Sequence, residues 1–239
     1  MTTVDPRYPV QIHTLWTTLD REITWLHGRW IIYRQLFGTN RERVDLLNES
    51  AGTFFNALHN VLLHDVQLSL SKLGDPAGSG SRKNMTLKAL HQQLQASGEA
   101  LAADKMKASM QKFAVACVKI RHRRDKWIAH FDRSTMLNDD VIPRMGPSRE
   151  EIESALEARR EAINCISFHY TGTTMRYEHF SMQADGEALI QSLRRGLRYR
   201  ELVNEGAVTR DDYRKRFNGE VYPFIERTST SVLRSCQTL

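Results

Sequence analysis

Apolar residues recur at alternating steps of three and four over long stretches of this chain, and this periodicity limits its possible folds more than any other feature. Such spacing places the apolar side chains on one face of an α-helix. It predicts helices over residues 10–36, 41–73 and 86–96, and a long helix from Glu99 towards Asp132. Because 41% of the 239 residues are hydrophobic, the chain can bury a sizeable core. We therefore expect an all-α helical bundle.

Turn-forming residues separate these helices. Residues 38–40 are predicted to stop the first helix and restart the second, and the glycine-rich residues 74–84 are interpreted as a flexible connection. Residues 171–186 are ambiguous between a short strand and an irregular linker. We expect a helical domain over residues 10–172 and a mostly helical C-terminal extension over residues 173–239.

The second half of the chain has its own helix signals. Residues 134–147 contain two prolines and a glycine and are predicted to form a loop. Ser148 and Glu151 then match a capping box, which begins a helix. Further helices fit residues 187–204 and 210–217. The apolar face of the capped helix is predicted to contain Ile152, Leu156, Ile163 and Phe168.

The long helix carries an arginine where its apolar face predicts a buried side chain. Its apolar face is formed by Met106, Met110, Phe113, Cys117 and Ile120. The same spacing next reaches Arg124, Trp127 and Phe131. A guanidinium is costly to bury unless a partner, an interface or a ligand meets it. Asp65, on or beside the apolar face of the second helix, is one candidate partner; the alternative is a simple surface carboxylate.

His130 follows Arg124 by six residues. On one ideal helix this spacing separates two side chains by about 9 Å along the axis and about 120° around it. The two side chains of one chain therefore converge poorly unless the helix kinks or a second chain contributes. The helix contains no Gly or Pro, although four consecutive basic residues at 121–124 favour a looser structure there.

The charge distribution favours an acidic partner. Lys and Arg number 34 against 28 acidic residues, a net charge of +6, and an excess of this kind favours nucleic acid without requiring it. Arg121, Arg123 and Lys126 are interpreted as a solvated basic face that can guide an RNA backbone. Basic residues concentrate in 119–126, 194–200 and 210–216.

Several classes of protein are not indicated. The three cysteines, Cys117, Cys165 and Cys236, are widely spaced and no CxxC occurs, so we expect neither disulfides nor a zinc site. His59 and His64 lie about 140° apart on a helix, which is unsuited to a shared metal, and we expect no cofactor. No apolar run suits a signal peptide or a membrane span, so we expect a cytoplasmic protein.

Two parts of the sequence resemble the HEPN superfamily. Its Arg-x4–6-His motif is matched by Arg124 and His130, with Asp125 directly after the arginine. The flanking AHFD at 129–132 resembles its AH-x-D ending. Upstream, LSLSKLGDP at 68–76 and NMTLKAL at 84–90 resemble the AbiU-like abortive-infection branch. The resemblance covers roughly residues 58–132. One departure is Asp125, which stands where Asn is commoner in the superfamily.

The resemblance implies a HEPN-like helical bundle, a homodimer, and metal-independent RNA cleavage at a cleft shared by two protomers. It implies catalytic roles for Arg124 and His130, with Asp125 orienting His130, pairing with Arg124, or repelling phosphate. A histidine can transfer protons near neutral pH, and an arginine can stabilise a phosphorane. Around Arg124, the apolar part of the dimer contact is expected from Ile120, Trp127, Ile128 and Phe131.

The expected function is therefore that of a HEPN endoribonuclease, a toxin or antiphage effector that an antitoxin or inhibitor protein can control. The alternatives are a non-catalytic HEPN module that binds RNA or a partner protein, and a helical interaction protein without a nucleic-acid role. Loss of RNA cleavage on His130→Ala separates the first from the others. Salt-dependent RNA binding separates the second from the third.

Overall fold

The computed structural model describes residues 5–129 and 146–208, and they are predominantly helical. This confirms the predicted all-α class. Several predictions lie outside the described residues: His130, Phe131 and Asp132, most of the 134–147 loop, and the 210–217 helix.

The first two helices follow their predicted bounds closely. Helix α1 spans Val10–Phe37 and helix α2 spans Arg41–Leu73. Between them, the Asn40 side chain accepts a hydrogen bond from the Arg43 backbone N–H and caps α2. Helix α2 is kinked at Ala51, where φ is −163° and ψ is 66°.

The segment from 74 to 84 connects α2 to the next helix, as predicted, but it contains a small hairpin that was not predicted. Strands β1 (Gly78–Ser79) and β2 (Arg82–Lys83) pair antiparallel, with Ser79 opposite Arg82. Gly80 occupies the two-residue loop at φ +57°, a conformation that glycine adopts without strain. The Asn84 backbone N–H donates to the Ala77 carbonyl at 2.8 Å and closes the base. Because each strand has only two residues, the sequence shows no alternation of apolar and polar residues from which the hairpin could be predicted.

Helix α3 spans Leu87–Ala96 and is capped by the Thr86 side chain. The long helix predicted from Glu99 is divided. Helix α4 (Ala100–Ala116) ends at Cys117, where φ is −87° and ψ is 2°, and helix α5 covers Val118–Arg123. The prediction of one continuous helix is thus wrong at Cys117, because this residue continues the apolar periodicity while its backbone leaves the helical range.

Helix α6 spans Arg149–Thr171 and begins with the predicted capping box: the Ser148 hydroxyl and the Glu151 carboxylate each accept the other's backbone N–H. The prediction that Phe168 is buried is wrong, since it is 56% exposed. Phe168 follows Ile163 by five residues, about 140° around the helix. The buried face also includes Arg159, whose spacing from Leu156 and Ile163 matches the apolar face although its side chain is charged.

Residues 172–185 are irregular apart from a 3-10 turn at Tyr177–His179, which favours the linker alternative over the strand. Two groups hold the segment. The Asn164 side chain bonds to both the backbone N–H and the carbonyl of Met175 at 2.8 Å, and the Tyr177 hydroxyl donates to Asp20. Helix α7 follows at Gly186–Asn204.

One hydrophobic core joins α1, α2, α3, α4, α5 and α6, and α4 and α6 form its most extensive helix pair. The core includes Ile23, Leu26, Leu70, Leu90, Met106, Phe113, Cys117, Ile120, Ile163 and Ile166. Cys117 is buried as predicted. The seam from Met106 to Ile120 therefore points into this core, and it leads directly to Arg124.

The chain divides into a compact unit that ends at Ile190 and a second unit that begins at Gln191. Within residues 191–208 of the second unit, Arg194, Arg195, Arg198 and Arg200 are exposed. The division into 10–172 and 173–239 stays a prediction. Over the described ranges, no helix is both long and apolar enough to cross a membrane.

Candidate active site

The backbone changes its hydrogen bonding at the candidate arginine. Residues Arg124–Ile128 form a π turn, in which the Ala129 N–H donates to the Arg124 carbonyl five residues back at 2.8 Å. Such wide turns inside helices are frequent at functional sites. The turn begins within the four basic residues at 121–124, where a looser helix was predicted. Within residues 124–129 the spacing of an ideal α-helix therefore does not apply.

Two carboxylates hold the Arg124 guanidinium. Its Nη1 donates to Asp75 Oδ1 and its Nε donates to Asp125 Oδ1, each at 2.8 Å. Burial lowers the pKa of Arg124, but the hydrogen bonds to the two carboxylates outweigh it, so the net pKa lies above the usual range. Among the described residues two of its five N–H donors are engaged, and the side chain remains 21% exposed. The remaining donors can therefore meet a ligand.

The partner carboxylate comes from a turn at the end of α2. The Gly74 N–H donates to the Ser71 carbonyl and the Asp75 N–H donates to the Lys72 carbonyl, each at 3.1 Å. A Cβ on Gly74 would lie 2.2 Å from Arg121 Nη2 and 3.0 Å from Phe113. The absence of a side chain at Gly74 thus lets Arg121 pack closely over the turn beside Asp75.

Asp65, the candidate partner suggested by sequence, does not pair with Arg124. Its Oδ2 lies 2.5 Å from Nε of Arg29 on α1, and Arg29 also donates to Ser69 at 3.2 Å. The structure therefore favours the alternative of a surface carboxylate for Asp65, which is 44% exposed, because the turn after Leu73 brings Asp75 to the guanidinium instead. Sequence reasoning missed Asp75, although it lies within the SKLGDP segment that carried the resemblance.

Arg121, Arg123 and Lys126 do not form the predicted solvated face. All three are only partly exposed. Arg121 packs over Gly74, and the Arg123 guanidinium lies 3.2 Å from the position of a Cβ on Gly146. Burial lowers the pKa of Arg123. Packing against glycines explains the reduced exposure of Arg121 and Arg123, while a role of all three residues in RNA binding stays a prediction.

The apolar residues expected around Arg124 at the dimer contact differ in how far they are buried. Ile120 is fully buried within its own chain, so the expectation that it contributes to a contact between protomers is wrong. Trp127 and Ile128 are partly exposed and remain available. The reason is that Ile120 still belongs to the α-helical seam, whereas the other two lie on the π turn.

No metal centre accompanies this site in the part of the chain that the structure describes. Over those residues, no group of three or more His, Cys, Asp or Glu side chains is arranged to hold an ion. His59 instead makes a 3.0 Å hydrogen bond with the Tyr33 hydroxyl. Burial lowers the pKa of His64, helped by the charges of Arg123 and His59.

The fold and the arginine motif agree with a comparison against protein families. The family profile of AbiU2, a HEPN family, matches residues 12–189. The chain therefore belongs to the AbiU2 family of HEPN proteins, a family related to abortive infection. The matched region contains the turn at Asp75 and the motif at Arg124 through His130.

Comparisons with curated proteins and with solved structures returned no significant match.

Proposed function

We propose that this protein is an endoribonuclease that cleaves RNA without a metal, with Arg124 and His130 as its catalytic residues. The observation that carries the proposal is the Arg124 guanidinium, fixed by Asp75 and Asp125 at the edge of a HEPN fold, six residues before His130. A guanidinium held in one orientation can present its remaining donors to a phosphate without losing rotamer freedom on binding.

The proposed chemistry uses the ribose itself as nucleophile. A histidine accepts the proton of the 2′-hydroxyl, whose oxygen attacks the adjacent phosphorus. Arg124 stabilises the charge of the phosphorane, and the bond to the 5′-oxygen breaks as that oxygen receives a proton from a second acid. The products are a 2′,3′-cyclic phosphate and a 5′-hydroxyl. His130 of one protomer is the base; His130 of the other protomer is the acid in the wild-type dimer, and water replaces it, more slowly, where only one His130 is present.

The composition of the products tests this scheme. Purified protein is incubated in EDTA with an RNA and with the same RNA carrying one 2′-deoxy residue at the cut site. We expect cleavage of the first only, with cyclic phosphate ends. Activity that EDTA abolishes and magnesium restores would contradict the mechanism.

The shared site has its own test, because the proposal requires a homodimer. Arg124→Ala and His130→Ala chains are coexpressed with different tags and the mixed dimer is purified. We expect partial activity in the mixed dimer and none in either mutant homodimer. A chain that remains monomeric at the assay concentration and still cuts RNA would refute the shared site.

One observation favours a second candidate, a non-catalytic HEPN module that binds RNA or a partner protein. Arg124 is opposed by two carboxylates, so the group of three side chains carries a net negative charge that repels phosphate. RNA binding without cleavage by the wild-type protein would select this candidate. For the ribonuclease we propose a cytoplasmic abortive-infection effector, with toxicity that a separate inhibitor protein restrains.

A further inference from the structure

Arg121, Arg123 and Lys126 are only partly exposed, and an exposed basic surface lies elsewhere in the same unit. An open cleft lies between the first turns of α1, the β1–β2 hairpin and α3. Three cations line it, Arg82 and Lys83 on the hairpin and Lys88 on α3, and all three are exposed. The remaining lining includes Gln11, Thr14, Pro76, Asn84, Met85, Gln92 and Gln93.

The cleft is electrostatically uncompensated within the described chain. None of the residues that line it is acidic. Among residues 5–129 and 146–208, no carboxylate forms an ion pair with Arg82, Lys83 or Lys88, whereas Lys112 and Lys119 elsewhere are paired with glutamates. Unpaired cations along a groove release counterions when they meet phosphates, which drives binding of nucleic acid.

The cleft is also adjacent to the candidate site. Pro76, which lines it, directly follows Asp75, and Asp75 holds Arg124. The hairpin is anchored at this end, because the Asn84 side chain donates to the Pro76 carbonyl at 3.0 Å. One end of the cleft therefore borders the turn that positions Arg124.

We propose that this cleft binds the backbone of single-stranded RNA and leads it to Arg124. The inference rests on the proposed function, since it names where the substrate of that site is held. The lining contains no aromatic side chain on which bases could stack, so recognition depends on phosphates and tolerates many sequences. Gln92, Gln93 and the 44% exposed Met85 can contact bases only as a secondary contribution.

The test measures binding separately from cleavage. In full-length His130→Ala protein, anisotropy of a labelled single-stranded RNA is followed at increasing salt. Lys83→Ala with Lys88→Ala is compared with Lys105→Ala and Lys107→Ala, two exposed lysines on α4 that lie outside the cleft. Both double variants change the net charge equally. Circular dichroism melting checks that each variant is folded.

We expect the cleft variant to reduce the slope of log K against log salt by about 1.4, from about 0.7 for each lost phosphate contact. The α4 control should retain the parental slope. Equal slopes for the two variants, or competition by polyglutamate as effective as competition by unlabelled RNA, would overturn the proposal.

Measurements of RNA cleavage then test the cleft proposal separately from the ribonuclease proposal. In the catalytically intact chain, the cleft variant should raise KM about tenfold or more while kcat is retained. An unchanged KM would refute the cleft and leave the ribonuclease proposal intact. Salt-dependent binding in the cleft by a wild-type protein that never cleaves RNA would refute the ribonuclease and support the cleft as a binding site.

Discussion

Asp75 is expected to position Arg124, and Asp75→Asn removes its charge with little change in shape. Asp75 Oδ1 and Arg124 Nη1 lie 2.8 Å apart, with side chains that are 31% and 21% exposed. Exposed ion pairs contribute about 0.2–1 kcal/mol, and breaking a buried pair costs about 3–5 kcal/mol. We therefore expect the free energy of unfolding to fall by about 1–2 kcal/mol, between these limits.

The functional effect should exceed that of lost stability. Because one of the two anchors of the guanidinium loses its charge and holds it more weakly, kcat for RNA cleavage should fall about 10- to 100-fold, since misplacement of a catalytic group by about 1 Å costs on this order. KM should change little. Urea denaturation and steady-state cleavage of labelled RNA measure the two effects.

Asp65→Asn is the matched control. It makes the same chemical change in another arginine–aspartate pair, that of Asp65 with Arg29, which lies outside the candidate site. We expect a smaller loss of stability and an unchanged kcat. Equal losses of kcat in the two variants, or a normal kcat in Asp75→Asn, would refute the positioning role.

Two further changes are expected to have definite results. Arg124→Lys should lose nearly as much RNA cleavage as Arg124→Ala, because an ammonium lacks planar, forked donors. Full activity of the lysine variant would mean that Arg124 contributes only its positive charge. Burial, with the charges of Arg159 and Arg160, lowers the pKa of His27 to about 3. Between pH 6.5 and pH 3 only the unfolded chain is protonated there, so stability should decrease on acidification, by about 2 kcal/mol at pH 5. Denaturant unfolding of His27→Phe, which can preserve the stacking on Tyr177, should show a smaller loss of stability at low pH. The control His179→Gln changes an exposed histidine and should behave as the wild type. An identical loss of stability at low pH in all three proteins would contradict this prediction.

Local patterns in the sequence predicted the helices well. The bounds of α2 agree with prediction because its start carries a capping asparagine and its end carries a glycine, both of which act within a few residues. The capping box at Ser148 and Glu151 was predicted for the same reason. Such signals depend only on neighbouring residues, so they predict helix ends independently of how the helices pack.

The anchoring of Arg124 could be predicted only in part. Its position on the apolar seam indicated that a partner must exist, but the choice between Asp65 and Asp75 depends on how α2 and the π turn meet across 49 residues. The periodicity of apolar residues does not indicate how α2 and the π turn pack together. Arg159 is a different case: its spacing from Leu156 and Ile163 matches the buried face of α6, but its charge favours the surface, and it is fully buried without a hydrogen-bond partner among the described residues.

The central claim is that this HEPN protein cuts RNA with His130. It is tested most directly by comparing RNA cleavage in EDTA by the wild-type protein, His130→Ala and His122→Ala, an exposed histidine in the same basic segment. The account predicts cleavage by the wild type and by His122→Ala, and none by a folded His130→Ala. Cleavage that persists in His130→Ala, or that is lost equally in both variants, would contradict it.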